Sequence, residues 1–437
     1  MRGFQFAVAL SLMMAIPLGA QMGNPPAPSA PPQTLTISQA EQIAIRNNPR
    51  MAVSRLLALA QGQVKREVQS AELPTVGVDL TAVDSHNGSR ITAGGLNNPT
   101  VYQRAAAGAT LQQLITDFGR TRNLVASSQL QTQAAQSAQM ATSQDITFAV
   151  DEAFFHALST QAVLRVAQET VDARQTTADQ VSALTGAKLK STLDQSFANV
   201  DLAQAKLLLV DAQNDNEDAM VVLNALLGNE RAVTYSLVDE TPNAPRPAPD
   251  DAEPLVTLAF KQRPDLLSLN EQYAAAQKYS KAEHDLWMPT VSALGVSGDA
   301  PVRADQITTP WYGAVGVNVN IPVFNGFLYS ARAKEADLRA SAADQQVQSL
   351  RQTIARDVRT TVLEAQSNFH RIAVTQQLVN EANSAFDLAQ TRYKIGLSSI
   401  VELTQAQLVQ TQAQIAYVNA RYAYQGSLAA LRFQTGQ

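Results

Sequence analysis

Hydrophobic and polar positions along this chain switch between two periods, and the switch occurs twice in the same order. From Trp311 to Pro322 the residues alternate, with Val315, Val317, Val319 and Ile321 on one side and Gly316, Asn318 and Asn320 on the other. From Thr75 onward Val76, Val78, Leu80 and Ala82 alternate with Gly77, Asp79 and Thr81. A period of two with one apolar and one polar side predicts a β-strand, here of about the length that crosses a bilayer when tilted. Segments 103–114 and 290–298 predict two weaker strands whose small residues blur the alternation. The stretches between them, 84–102 and 299–310, are rich in Gly, Asn and Pro and read as turns.

The other period is seven. Val358, Ala365, Ile372, Val379, Phe386 and Tyr393 recur in strict heptads, as do Val150, Ala157, Leu164, Val171 and Ala178. They lie in runs, 120–185 and 327–395, that contain neither Gly nor Pro. Either run, if helical throughout, extends roughly 100 Å, and a strict 3.5-residue repeat predicts left-handed supercoiling against neighbours. Each run ends near a glycine, Gly186 or Gly396, and a second helix follows over 191–227 or 399–433. Each half therefore predicts a long helical hairpin.

The two halves are copies. One offset pairs Ala44 with Ala259, Pro49 with Pro264, and "LPTV" at Leu73–Val76 with "MPTV" at Met288–Val291; a second pairs Ile146 with Ile354, Val150 with Val358 and Ala157 with Ala365. The proline-rich "TPNAPRPAPDDAEP" between them forbids a continuous helix or central strand. "SQAE" at Ser38–Glu41 and "DDAE" at Asp250–Glu253 have capping-box spacing, which predicts a helix start in each half. The expected organisation is a signal peptide (1–20), a Pro-rich disordered segment (21–35), a first repeat (36–229, hairpin strands about 75–115, helical hairpin 120–228), a linker or equatorial region (230–254) and a second repeat (255–437, strands about 290–322, helical hairpin 327–433). The two "PTV" phrases mark the points where a helix gives way to a strand pair.

Composition narrows the class. Charged residues make up 16% and aromatics 6% of 437 residues, which favours long helices with small contact residues over a bulky centre. A net charge of −5 gives no reason to expect nucleic acid. There is no cysteine, so thiolate metal sites, cysteine nucleophiles and a lipidated cysteine are not expected. Arg2, the apolar run 6–16 and Ala20 fit an export signal. No later segment is apolar enough for a transmembrane helix, so any membrane contact must be made by strands. Four strands cannot close a barrel, and open edges are not tolerated in lipid, so several chains must pool them.

The order of helix, strand pair and long helical hairpin, occurring twice, resembles the TolC-like outer membrane efflux proteins. The marks are "AIRNNP" and "AFKQRP", "LPTV" and "MPTV", "DFGR" (Asp117–Arg120) and "FNGF" around Asn325, and "RYKIGLSSIVEL" (Arg392–Leu403). The resemblance covers residues 34–436. It implies a mainly α fold with a small membrane β part: a homotrimer whose coiled-coil hairpins form an α-barrel through the periplasm, and whose strands form a 12-stranded β-barrel in outer membrane lipid. It also implies a periplasmic adaptor and an inner-membrane transporter as partners, and no cofactor. A non-pore periplasmic scaffold would share the heptads but leave the duplicated strands unexplained.

No catalytic or metal constellation is present in the sequence. Among the 4 histidines, His86, His156, His284 and His370, none has metal-ligand spacing, and no enzyme activity is expected. The resemblance directs attention to the hairpin tips. Ile395, Gly396 and Leu397 resemble the family's adaptor-contact motif, and Gly186 with Ala187 is read as its counterpart, with Lys188 and Lys190 as two extra residues. Glu402 matches a position where the family places an acidic ring at the closed end of its tunnel; Gln405, one turn on, stands where a second acid would, so one ring is expected. Asp194, Tyr393, Lys394 and Ser398 are candidates for contacts holding the aperture shut. The plain alternative for Glu402 and Asp194 is a carboxylate favoured near a helix N-terminus.

Overall fold

The structure, a computed structural model, describes residues 33–84, 86, 103–231, 233–241, 245–302 and 309–437. The expected signal peptide and residues 87–102 and 303–308 lie outside the described residues. In chain order the elements are β1 (Gln33–Leu35), α1 (Ile37–Asn47), α2 (Pro49–Gln69), β2 (Thr75–Val83), β3 (Arg104–Thr116), α3 (Arg120–Gly186), α4 (Thr192–Leu226), β4 (Tyr235–Leu237), α5 (Glu253–Gln262), α6 (Pro264–His284), β5 (Thr290–Val302), β6 (Trp311–Asn320), α7 (Leu328–Lys394) and α8 (Ile400–Thr435). Helix predominates, with a small sheet.

Helices α3 and α7 are each 67 residues long, about 100 Å. The heptad positions face inward: Val150, Ala157, Ala178, Val358, Ala365 and Tyr393 are buried and the others half-buried. Proline divides the shorter helices. Asn48 ends α1 and caps α2, its side chain accepting from the Arg50 amide at 2.9 Å, with Pro49 in the first turn; Arg263 and Pro264 repeat the break between α5 and α6. Short 3-10 turns, Ser70–Glu72 and Asp285–Trp287, then precede each "PTV" strand.

The short helices stack end to end beside the long ones. Asn48 Nδ2 donates to the Leu226 carbonyl, joining the end of α4 to the start of α2. Gly228 (φ 76) lies against the backbone of Asn47, and Gly436 (φ 78) against that of Gln262 and Arg263. Both need glycine twice over, for the left-handed backbone and for the close approach. Each chain thus presents four columns: α3, α7, and the stacks α4–α2 and α8–α6.

Local capping departs from the sequence reading. The first helix is capped by Thr36 with Gln39 in a reciprocal box, two residues ahead of the expected Ser38–Glu41 pair. Helix α5 has Ala252 at its cap and no side-chain cap bond; Asp251 instead accepts from the Glu253 amide. Gln33–Leu35, the end of the segment read as disordered, pairs in parallel with β4 of the linker. Ala40, Ala44, Phe154, Leu223 and Leu227 pack with Leu35 into one core there, so the equatorial region is a small two-stranded patch on the hairpins.

The four longer strands form one antiparallel sheet in the order β2-β3-β5-β6. Among the described residues neither β2 nor β6 has a partner on its outer side. The register brings Val76, Leu111, Gly295 and Val315 into one row, so the alternation read from each strand adds up to one apolar face. That face is bare: Leu80 is 81% and Val315 92% exposed.

Candidate functional site: a membrane face and two hairpin tips

The sheet meets the helices through two strained exits. At the first, Phe118 (φ 57) and Gly119 (φ 113) turn the chain into α3, and Asp117 accepts from the amides of Gly119 (3.3 Å) and Thr121 (2.7 Å). At the second, Gly326 (φ 62) and Phe327 (φ 66) turn it into α7. A bulky residue in left-handed backbone is uncommon and costs on the order of 1–3 kcal/mol. Both phenylalanines are exposed, Phe327 standing edge-on to Phe324 at 5.8 Å, and Trp287 packs edge-on against Tyr329 at 5.7 Å. An apolar sheet face bordered by aromatic side chains is the signature of a strand wall in a bilayer.

About 100 Å away, the tips are two versions of one turn. In the second, Gly396 (φ 79) donates from its amide to the Tyr393 carbonyl (3.1 Å) and Leu397 to that of Arg392 (2.8 Å). In the first, Lys188 (φ 60) donates to Thr185 (2.9 Å) and Leu189 to Leu184 (2.9 Å). These are the same helix-ending bonds. The counterpart of Gly396 is therefore Lys188, not Gly186. Gly186 is the last residue of α3, Ala187 its cap, and the two lysines are not an insertion. The offset that pairs Val150 with Val358 runs unbroken through the tip; the glycine misled because Gly186 stands where a helical residue belongs. Non-glycine left-handed backbone among the described residues occurs at Phe118, Lys188 and Phe327 only.

Ser191 and Asp194 cap α4 in a reciprocal box (3.1 and 3.2 Å). Ser399 caps α8 by accepting from the Glu402 amide (3.3 Å), but the Glu402 carboxylate turns to Arg392 Nε at 3.4 Å. Glu402 is thus part of an ion pair within its own hairpin, a partner the sequence reading did not foresee. Tyr393 is buried, its hydroxyl without a partner; burial and, secondarily, Asp194 hold its pKa above the usual value. Lys190 lies over the Tyr393 ring, its Nζ 4.2 Å from the centroid. Tyr393, Ile400 and Leu403 pack with Ala178, Val181, Ala198 and Leu202, joining the two hairpins at their tips. Ser398 has a buried hydroxyl with no partner, whereas Lys394 and Gln405 are exposed.

About two heptads above the tips lies a buried polar knot. Arg174 of α3, 4% exposed, meets Asp201 of α4 at 2.7 Å. Gln407 of α8, in the amide orientation that satisfies both, donates to Asp201 (3.1 Å) and accepts from Arg174 (3.1 Å). Arg174 also reaches Thr411 at 3.3 Å. Burial pulls the Arg174 pKa down and pushes that of Asp201 up, each opposed by the partner's charge. A second buried acid, Asp151, faces Arg432 at 3.0 Å; burial and the neighbouring Glu41 carboxyl raise its pKa to about 7. Isolated charges on long polar helices read as solvated, so both clusters escaped the sequence reading. Among the described residues no group of His, Asp and Glu is arranged to hold a metal, and no helix is long and apolar enough to cross a membrane.

An apolar strand wall with open borders, carried on rods that end in capped tips, defines one segment of an oligomeric membrane conduit. The chain belongs to the outer membrane efflux protein family, which it matches over residues 41–229 and 255–437. It is 24% identical to the outer membrane protein TolC of Escherichia coli over 90% of this chain and 80% of the relative. It is 23% identical to the cobalt-zinc-cadmium resistance protein CzcC of Cupriavidus metallidurans over 88% and 86%. Among solved structures, VceC from Vibrio cholerae superposes with a TM-score of 0.80 at 19% identity, covering 92% of this chain and 96% of that one, and CusC gives 0.80 at 17% with 92% of each. This protein is accordingly an outer membrane efflux channel and not an enzyme.

Proposed function

We propose that this protein is the passive exit duct of a tripartite efflux or type I secretion system, active as a homotrimer and opened when a periplasmic adaptor and an inner-membrane transporter dock. The observation that carries the reading is the four-stranded sheet with both borders unpaired and one apolar face exposed. Strands alternate in direction from β2 to β6, so β6 of one copy runs antiparallel to β2 of the next, as an up-and-down barrel requires. Three copies close the wall, and their helical columns continue it as a tunnel. A heat-resistant trimer in outer-membrane extract that conducts in a planar lipid bilayer is the expected result; a soluble, non-conducting monomer overturns it.

Opening acts through the second hairpin. Its seam is built on Ala382, Ala389 and Ala413, shallow contacts between which alternative packings differ by little. Glu402 is the residue that three copies place around the aperture, each moderated by Arg392, and Gln405 leaves it the sole ring. Glu402→Ala is expected to abolish block of the reconstituted channel by divalent cations; unchanged block rejects the ring. The relatives carry names as unlike as cobalt-zinc-cadmium resistance, pyoverdine export and toluene efflux. A shared duct serving such different cargoes leaves selection to the pump and adaptor.

A further inference from the structure

The first tip spends backbone strain to place a lysine where the second places glycine. Lys188 and Gly396 occupy the same left-handed position in the same hydrogen-bonded frame, at φ 60 and φ 79. Glycine would relieve Lys188, and nothing inside the turn asks for its side chain. Lys188 is exposed, and among the described residues its side chain makes no ion pair or hydrogen bond. Its neighbours' charges are already engaged: Lys190 on Tyr393, Arg392 on Glu402, and Asp194 in the α4 cap. With Lys394 also exposed, the end of the molecule carries an excess of free positive charge. Directly after the left-handed residue, each tip presents a bare leucine, Leu189 at 71% and Leu397 at 68% exposed.

We infer that Lys188 is a docking residue for a carboxylate on the periplasmic adaptor, an inference that rests on the docking reading above. The two tips share an apolar knob in a common frame, so a folded partner built from like hairpins meets both. Only the first carries a cation at the left-handed position itself, directly before the leucine; in the second, Lys394 sits on the last turn of α7, ahead of the turn. The partner therefore engages the first knob with an acidic side chain beside it and the second without one. The tips of one chain are thereby distinguishable to an otherwise repetitive partner, which fixes the rotational register of docking. A rigid pair of matched leucine knobs fits a shaped protein surface better than a layer of anionic headgroups.

The test uses the full-length trimer in nanodiscs and each purified soluble adaptor of the host. Binding is measured at low and high salt for the wild type, Lys188→Gly, Lys188→Glu and Lys188→Arg. Lys188→Gly is expected to weaken binding about fivefold and flatten its salt dependence, Lys188→Glu to weaken it further, and Lys188→Arg to keep it. The melting temperature of the Lys188→Gly trimer stays equal or rises, which separates lost contact from damage to the turn. Reversing the adaptor's acidic residue to lysine restores binding to Lys188→Glu. Wild-type affinity in Lys188→Gly overturns the inference, as does Lys188-dependent binding to phosphatidylglycerol vesicles in the absence of adaptor. A conducting wild-type trimer that binds no adaptor overturns the docking reading itself, and this inference with it.

Discussion

The two helical hairpins are copies, yet they are held together differently. The first, α3–α4, contains the buried pair Arg174–Asp201; at the equivalent positions the second, α7–α8, has Ala382 and Val409. The first has a complete capping box at its tip, whereas in the second the acid leaves the cap for Arg392. The first exit is gripped by the Asp117 carboxylate, with the Thr121 amide at 2.7 Å, while Asn325 reaches the Tyr329 amide only at 3.5 Å. Duplication supplied one scaffold; its first copy carries the polar brace, and the opening proposed above acts through the second, which lacks it. Gln407 and Thr411 lie on α8, so the brace also ties the return helix of the second hairpin to the first.

The sharpest way to break this contrast is to remove one half of the buried pair. Asp201→Ala leaves a buried, unpaired guanidinium and is expected to destabilise the trimer by about 3–5 kcal/mol in thermal or denaturant unfolding. Val409→Ala, at the matching place in the second hairpin, should cost less than about 1 kcal/mol, since that side chain is part-exposed. Installing the second repeat's residues together, Arg174→Ala with Asp201→Val, should recover most of the loss. Equal costs for the two single variants would dissolve the distinction between brace and moving part.

A second contrast is one of charge. Asp151 of the first repeat corresponds to Arg359 of the second, which pairs with Glu253 at 2.8 Å. Asp151 instead shares its site with Glu41 of α1, and only Arg432 of α8 compensates. Its carboxyl keeps its proton to about pH 7 in the folded chain but releases it near the ordinary 3.8 when unfolded. The unfolded state therefore loses its proton first as pH rises, and stability falls between about pH 4 and 7. Asp151→Asn should flatten that decline, raising the melting temperature by a few degrees at pH 8 and by little at pH 4.5. A parallel shift at both values would assign the site a packing role only.

The smallest effect concerns the tips. Lys190→Met removes the cation over Tyr393, a contact worth about 0.5–1 kcal/mol at an exposed site. The resting open probability in planar bilayers should rise about two- to fivefold, while Lys394→Met, which faces solvent, should leave it unchanged. No difference between the two would mean that Lys190 does not hold the second tip.

The large elements were legible because their signals are long or repeated: heptads inside the glycine-free runs 120–185 and 327–395, and strict alternation at Val315, Val317 and Val319. What escaped depends on which neighbour a side chain meets. Thr36 with Gln39 has the same capping-box spacing as Ser38 with Glu41, and the helix takes the earlier of the two overlapping signals. Gly186 drew attention because left-handed turns favour glycine, yet the structure sets the turn at Lys188. Arg174, Asp201 and Gln407 come from three helices and share no motif. Their signal was the offset itself: carried through the tip, it sets Lys188 against Gly396 and Arg174 against Ala382, and the odd pairs mark the sites.

Both borders of the sheet are bare in a single copy, and this governs the protein's life before it works. A lone subunit in water offers two rows of free amides and carbonyls beside a greasy panel, a template for any extended chain that drifts past. For the trimer proposed above, the hazardous interval is the one before ring closure, and it shortens steeply as subunit concentration rises, because three molecules must meet. Synthesis in bursts, or an escort that shields the panel, would guard against fibrous waste.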